Sequence, residues 1–176
     1  MRNTALFIQS VEEGVIRDMT KTNAARILDS LNIRYDLKEY TVDEADLSAQ
    51  NAADKIGMPL EQVFKTLVAC GERTGIVMAC IPGAGELDLK ALAIASGNKK
   101  VEMVPLKEVQ PLTGYLRGGV SPLGSKKRYP VFLDESAGNW PVIAVSAGRR
   151  GCQIVMAPDK LVQATNATLC KIIRSL

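Results

Sequence analysis

Apolar and polar positions along this chain follow two different periods. Near the start the period is helical. Ala25, Leu28 and Leu31 share one face of a segment that Thr20 or Thr22 can cap, and Ser48 and Gly57 bracket a second helix over Ala49–Ile56. Between the two, residues 34–40 alternate as a half-buried strand of imperfect polarity, followed by an acidic loop over 41–47; Pro59 then starts another helical turn. Further on, period two and short apolar runs dominate. Residues 64–70 and 76–81 are β-prone and joined by Gly71, Glu72, Arg73, Thr74 and Gly75, which predicts a hairpin whose second strand ends at Gly83 and Gly85. Asp88 caps a helix over 89–95 that Gly97 closes, residues 101–104 form a short strand, and 106–109 form a helical turn ahead of Pro111. Three more strands are predicted over 129–133, 142–146 and 152–157. Asp159 caps a terminal helical region, which Asn166 breaks before a last helical stretch over 167–173.

Residues 1–18 show only weak periodicity and read as an N-terminal extension. No internal repeat and no linker divides the rest. Helices and strands mix without strict βαβ alternation, so the expectation is a single α/β domain with a curved, barrel-like mixed sheet flanked by helices.

Composition narrows the chemistry. With 47% hydrophobic and 23% charged residues, the 176-residue chain can bury a core and keep a polar surface. It lacks an apolar run long enough to span a bilayer and a secretory h-region, so a cytoplasmic protein is expected. Cys70, Cys80, Cys152 and Cys170 are widely spaced with no C-x-x-C pair, and read as small core residues. The chain has no histidine at all. That excludes Ser-His-Asp and Cys-His devices and removes the usual zinc ligand. Enzymatic chemistry must then come from lysine, carboxylates, hydroxyls, backbone amides or the substrate itself. The net charge of +3 is unevenly placed, with 9 Lys/Arg against 14 Asp/Glu in residues 1–88 and 13 against 5 in residues 89–176. A polyanion-facing surface in the second half and an ordinary solvated face both fit that asymmetry.

Four segments are candidates for a site. Residues 114–124 carry Gly114, Gly118, Gly119 and Gly124, with Ser121 offering a hydroxyl and Pro122 stiffening the exit. Such a loop is either a plain sheet-connecting turn or a concavity of amides suited to phosphate, carboxylate or an oxyanion. Lys65 opens an apolar strand on the same face as Leu67 and Ala69, where it either reaches water or meets an anionic partner. Residues 146–151 form a glycine-rich turn in which Ser146, Gly148 and Arg150 could border a pocket, or merely close a hairpin. Lys126, Lys127 and Arg128 would suit an RNA backbone, or simply face solvent.

In this order and spacing, the blocks Val63-Phe64-Lys65-Thr66-Leu67, Gly85-Glu86-Leu87-Asp88-Leu89-Lys90, Lys99-Lys100-Val101-Glu102-Met103, residues 114–124 and residues 145–151 resemble the YbaK/EbsC-like aminoacyl-tRNA deacylases, relatives of the editing domain of bacterial prolyl-tRNA synthetases. The resemblance runs from about Thr20 to the C-terminus, giving an extension over 1–18 and a deacylase domain over 19–176. It implies a cleft for the aminoacylated 3′ end of tRNA and release of Cys from mischarged Cys-tRNA(Pro), and from Cys-tRNA(Cys), by attack of the substrate's own thiol on its ester. Lys65 matches the family's key lysine, Gly118 and Gly119 the loop that cradles the aminoacyl carbonyl, and Tyr40 and Ser146 pocket positions. Ser121, Pro122, Gly124, Gly148 and Arg150 fall in the same blocks as substrate-binding candidates, and Lys126, Lys127 and Arg128 as tRNA-binding ones. Where close relatives carry Asp this chain has Gln153, so no carboxylate role transfers to that position. The resemblance implies no metal or organic cofactor and no membrane, with mischarged tRNA and prolyl-tRNA synthetase as partners. Hydrolysis of Ala-tRNA(Pro) or another small aminoacyl ester by an ordered water, and non-catalytic tRNA binding, are the alternatives.

Overall fold

Side-chain caps decide where the chain first turns helical. In a computed structural model that describes residues 21–174, Thr22 Oγ1 accepts the Ala25 N–H at 3.2 Å and starts α1 (Asn23–Ser30), which buries Ala24, Ala25 and Leu28. Ser48 does the same for α2 (Ala49–Ile56) by accepting the Asn51 N–H at 3.2 Å, and Gly57 closes it in the left-handed conformation. Asp88 accepts from Lys90 and Ala91 and starts α3 (Leu89–Ser96); α4 (Leu106–Thr113) and α5 (Pro158–Thr165) follow later. Each of these helices has only eight residues, too few to persist without tertiary packing. The sheets supply that packing.

The strands divide between two sheets. The first is antiparallel, in the order β1 (Asp36–Glu39), β7 (Cys152–Met156), β6 (Ile143–Ser146). The second is mixed, in the order β4 (Val101–Met103), β2 (Phe64–Gly71), β3 (Gly75–Pro82), β5 (Val131–Asp134), β8 (Thr168–Cys170). A parallel bridge between Val63 and Ala144 joins them at the start of β2.

Period two explains the layering. Ile143, Val145, Cys152, Ile154 and Met156 of the first sheet meet Phe64, Met78, Cys80, Val131 and Leu133 of the second, with Leu28 and Leu161 closing the ends. Eight of these side chains (Leu28, Met78, Leu133, Ile143, Val145, Ile154, Met156 and Leu161) are among the largest fully buried ones. Each contributes about 1.5–3 kcal/mol by leaving water. The opposite face of the second sheet packs Ala69, Val77, Ala79 and Ile81 against Leu92 and Ala93 of α3, and Ala144 and Val155 on the back of the first sheet meet Ala53 and Ile56 of α2.

Several expectations need correction. The expected single mixed α/β domain flanked by helices is what forms, but its strands lie in two sheets that do not close into a barrel. Residues 36–39 are not half-buried; all four are exposed, because β1 pairs only with β7 and forms a sheet edge. Leu31 is 44% exposed, since it caps α1 and lies beyond the buried stripe. The turn before Pro111 is a full helix running through it to Thr113, where the Thr113 hydroxyl donates to the Val109 carbonyl. Asp159 is not the cap of α5: Ala157 holds that position, and Pro158 fills the first helical turn. The stretch read as helix over 167–173 is β8, drawn into a strand by the otherwise unpaired edge of β5. Cys80 and Cys152 are core residues, but Cys70 is exposed at the end of β2. Thr20 and the extension over 1–18 lie outside the described residues.

The C-terminal segment is tied down at both Asp134 and residues 86–88. Asp134, 1% exposed, accepts from the Ser136 and Ile172 N–H groups at 3.1 and 2.9 Å. Asp88 N then donates to the Ile172 carbonyl and Arg174 N to that of Glu86, which zips residues 86–88 onto the sheet. Replacing Asp134 with Ala leaves one buried and one partly buried donor without acceptors, each costing up to about 1–3 kcal/mol. Urea denaturation of Asp134→Ala is expected to show a loss of about 2–4 kcal/mol, and a loss below about 0.5 kcal/mol would show the tether to be unimportant.

Candidate active site

β4 pairs with β2 only at Ala69, Cys70 and Gly71. The stretch before it, Phe64–Leu67, is an open strand edge, since the Val68 carbonyl already accepts the Val104 N–H at 3.0 Å, and Phe64–Val68 forms one wall of a cleft of about 500 Å³. The α2 start (Ser48, Ala49, Gln50) and Tyr40 form a second wall, Met103, Val104, Leu106 and Val109 a third, and Arg117, Gly118 and Val120 of the glycine-rich loop a fourth. Ser146 and Gln153, directly paired across β6 and β7, complete the lining. The volume lies within the range of about 300–1,000 Å³ usual for small-molecule sites.

Lys65 is held in that wall. Its Nζ donates to the Gly83 carbonyl at 3.0 Å, leaving two N–H bonds for a ligand. Partial burial lowers its pKa, and the Glu86 carboxylate pulls it back up. Gly83 is itself fixed: its N–H donates to the Val63 carbonyl at 2.7 Å, and a Cβ there would lie 2.9 Å from the Ala49 Cβ.

Gly118 lines the cleft with φ +82°, a backbone angle open to glycine at little cost, and a Cβ on it would meet the Leu47 Cβ at 3.2 Å. Gly119 lies behind it, where a Cβ would press to within 3.2–3.3 Å of the Arg149 and Arg150 backbone. Its N–H already donates to the Leu116 carbonyl at 2.9 Å. Of the two glycines expected to cradle a carbonyl, Gly118 lines the cleft, whereas the Gly119 amide is already engaged within its own turn.

Other predicted residues divide between the cleft and its surroundings. Tyr40 and Ser146 line it, and the Ser146 hydroxyl accepts the Gly148 N–H at 3.2 Å while keeping its own proton to donate. Arg150 does not reach the cleft. Its Nε donates to the Arg117 carbonyl at 2.8 Å and it pairs with Glu44 at 2.9 Å, pinning the acidic loop to the glycine-rich one. Ser121, Pro122, Gly124 and Gly148 also stay out of the lining. Ser121 is fully buried and accepts the Leu123 N–H; Gly148 packs on the Tyr115 ring; Pro122 and Gly124 border a separate groove with Ile27 and Arg128. These residues shape the loop from behind. Lys126, Lys127 and Arg128 are exposed just beyond it.

Sequence reasoning missed the roles of Gln50, Thr66, Arg117 and Gln153 as lining. Only Arg117 carried a signal, as the one charge inside the glycine-rich block. Gln153 is 5% exposed, and its Oε1 is buried without a hydrogen-bond partner, a state that costs about 1–3 kcal/mol.

The lining contains no Asp, Glu, His or Cys; its charges are Lys65 and Arg117. The thiols lie elsewhere, and burial raises those of Cys80, Cys152 and Cys170, Cys80 up to about 12 and Cys170 up to about 11. Such a cleft can bind a polyanion's end, orient a carbonyl and stabilise developing negative charge. It offers no carboxylate base and no imidazole or thiolate nucleophile.

Comparison with known proteins agrees with that geometry. Residues 43–164 match the family described as "Aminoacyl-tRNA editing domain". A protein of Enterococcus faecalis named "Putative Cys-tRNA(Pro)/Cys-tRNA(Cys) deacylase EbsC" is 48% identical over 152 residues, covering 86% of this chain and 93% of that protein. A "Proline--tRNA ligase" of Thermosipho africanus is 30% identical over 80 residues, 46% of this chain but only 14% of the ligase. A solved structure described as "a putative trans-editing enzyme for prolyl tRNA synthetase" superposes with a TM-score of 0.74 at 26% identity, covering 87% of this chain and 98% of that one. The chain belongs to the aminoacyl-tRNA editing domain family.

Proposed function

We propose that this protein is a trans-editing deacylase that releases cysteine from mischarged Cys-tRNA(Pro), and from Cys-tRNA(Cys), in the cytoplasm, with the deacylase domain spanning residues 19–176. The observation that carries this reading is the cleft's chemistry: two cations and the backbone of Gly118 line it, but no side chain suited to act as a carboxylate base or strong nucleophile. A cysteinyl ester brings its own nucleophile. Its sulfur attacks the ester carbonyl, the bond to the ribose oxygen breaks, that oxygen takes the thiol's proton, and the resulting thiolactone opens with water. Intramolecular attack gains a high effective concentration once the conformation is held. The cleft's positive charge favours the thiolate form of a thiol whose ordinary pKa is about 8.5.

In this reading Lys65 anchors the terminal nucleotide or the developing oxyanion, and the Gly118 N–H donates to the same oxygen. Gly119 lets the loop seat on residues 149–150. Tyr40 and Ser146 border the aminoacyl group. The relative named as a Cys-tRNA deacylase and the editing neighbour for prolyl-tRNA synthetase support this choice of substrate and of synthetase partner.

Lys65→Ala is expected to lower kcat/KM on Cys-tRNA(Pro) by about 100-fold or more with an unchanged circular dichroism spectrum. An unchanged rate would remove Lys65 from the reaction. Lys126, Lys127 and Arg128 are assigned to the tRNA backbone. Replacing all three with Ala is expected to weaken tRNA binding and flatten its dependence on log salt by about 1 per residue; an unaltered slope in a binding titration would place the tRNA elsewhere.

A further inference from the structure

A buried acceptor with no partner is a vacancy of a particular chemical kind. Gln153 sits mid-strand in β7, facing the cleft beside Ser146. The core side of that strand is apolar, through Cys152 and Ile154. Nothing in the packing of the sheet requires an amide here, and its oxygen bonds to nothing in the protein. A side chain kept polar at such a position is explained by a donor that arrives with the ligand.

We infer that the Gln153 carboxamide receives the substrate's α-amino group, its Oε1 accepting an N–H from the aminoacyl moiety; this rests on the deacylase reading above. An aminoacylated 3′ end carries four sorts of donor: the α-amine, the side-chain thiol, the ribose hydroxyl and the adenine amine. The ribose and adenine are tied to the tRNA and stay toward the mouth, where Met103 and Leu106 are exposed. The aminoacyl group is the free end and reaches deepest. Of its two donors the thiol is weak, and in the proposed reaction it must face the carbonyl rather than the wall. The amine remains.

Charge supports a neutral acceptor. Lys65 and Arg117 line the cleft, and Lys38 lies across the register from Gln153 on β1. No carboxylate lines the cleft, and Glu39, Glu44 and Glu86 are paired with Arg149, Arg150 and Arg174. An α-ammonium would meet cations without a counter-charge. An uncharged amine meets an amide whose oxygen has no partner, which it reaches when the Gln153 side chain turns that buried oxygen toward the cleft. Gln153 thereby discriminates aminoacyl esters from esters that lack the amine.

The test is a cycle. tRNA(Pro) is acylated either with cysteine or with 3-mercaptopropionate, which keeps the thiol and lacks the amine, and each ester is given to the wild type and to Gln153→Met, close in shape but without the amide. The wild type is expected to favour the cysteinyl ester, and the substitution to cut kcat/KM on it by about 10- to 100-fold while erasing most of that preference. The thermal midpoint of Gln153→Met should stay level or rise, because the change removes an unpaired buried acceptor. A preference that survives in Gln153→Met, or a midpoint that falls well below the wild type, overturns the inference alone. A wild type that cleaves neither ester overturns the deacylase reading and this inference with it.

Discussion

One ammonium group, drawn partly out of water and fixed by a single carbonyl, organises the cleft. Lys65 can hold that place because β2 does two tasks at once. Phe64, one residue earlier, is sealed in the core between the sheets, and the pleat turns Lys65 the other way. The carbonyl that receives it belongs to Gly83, which is locked to Val63 and has no room for a side chain beside Ala49. Moving any of these shifts the cation relative to the glycine-rich loop across the cleft. The caps, the bridge between the sheets and the C-terminal tether bear on function through that geometry.

What surrounds the cation matters as much for what it omits. A wall without carboxylate, imidazole or thiolate is a poor place to activate water, and a good place to hold an ester that carries its own nucleophile. The same economy appears at Gln153, where the fold carries a buried oxygen without a partner although an apolar residue of similar shape would fit the sheet better. Stability given up at a concave polar site is a common mark of a binding surface. Here the two features lie in one cleft, one suited to charge at the ester and the other to a donor beyond it.

Much of this was legible in the amino-acid order. Alternation along residues 64–70 gives the face of Lys65, and the glycines of 114–124 mark a loop that comes close to something. The tertiary arrangement supplied the rest. Gln50 and Arg117 reach the cleft only because α2 and the loop converge, and no local pattern encodes that approach. Ser121, Pro122, Gly124 and Gly148 fell in the right segments yet face backward, since a turn presents some of its residues to a ligand and uses the others to hold its shape. The Gly119 amide looked free until its turn with Leu116 was visible. Residues 168–170 have mixed propensity, and the open edge of β5 settled their conformation, so only the fold could decide between helix and strand.

In the proposed reaction the protein places the ester and the substrate's sulfur breaks it. Single-turnover rates on Cys-tRNA(Pro), compared with the same tRNA carrying S-methylcysteine, test this most directly. Methylation leaves the amine and the ester in place and removes the nucleophile. The methylated ester is expected to bind comparably but to be released at least about 100-fold more slowly. Equal rates on the two esters would contradict it and point to water as the nucleophile.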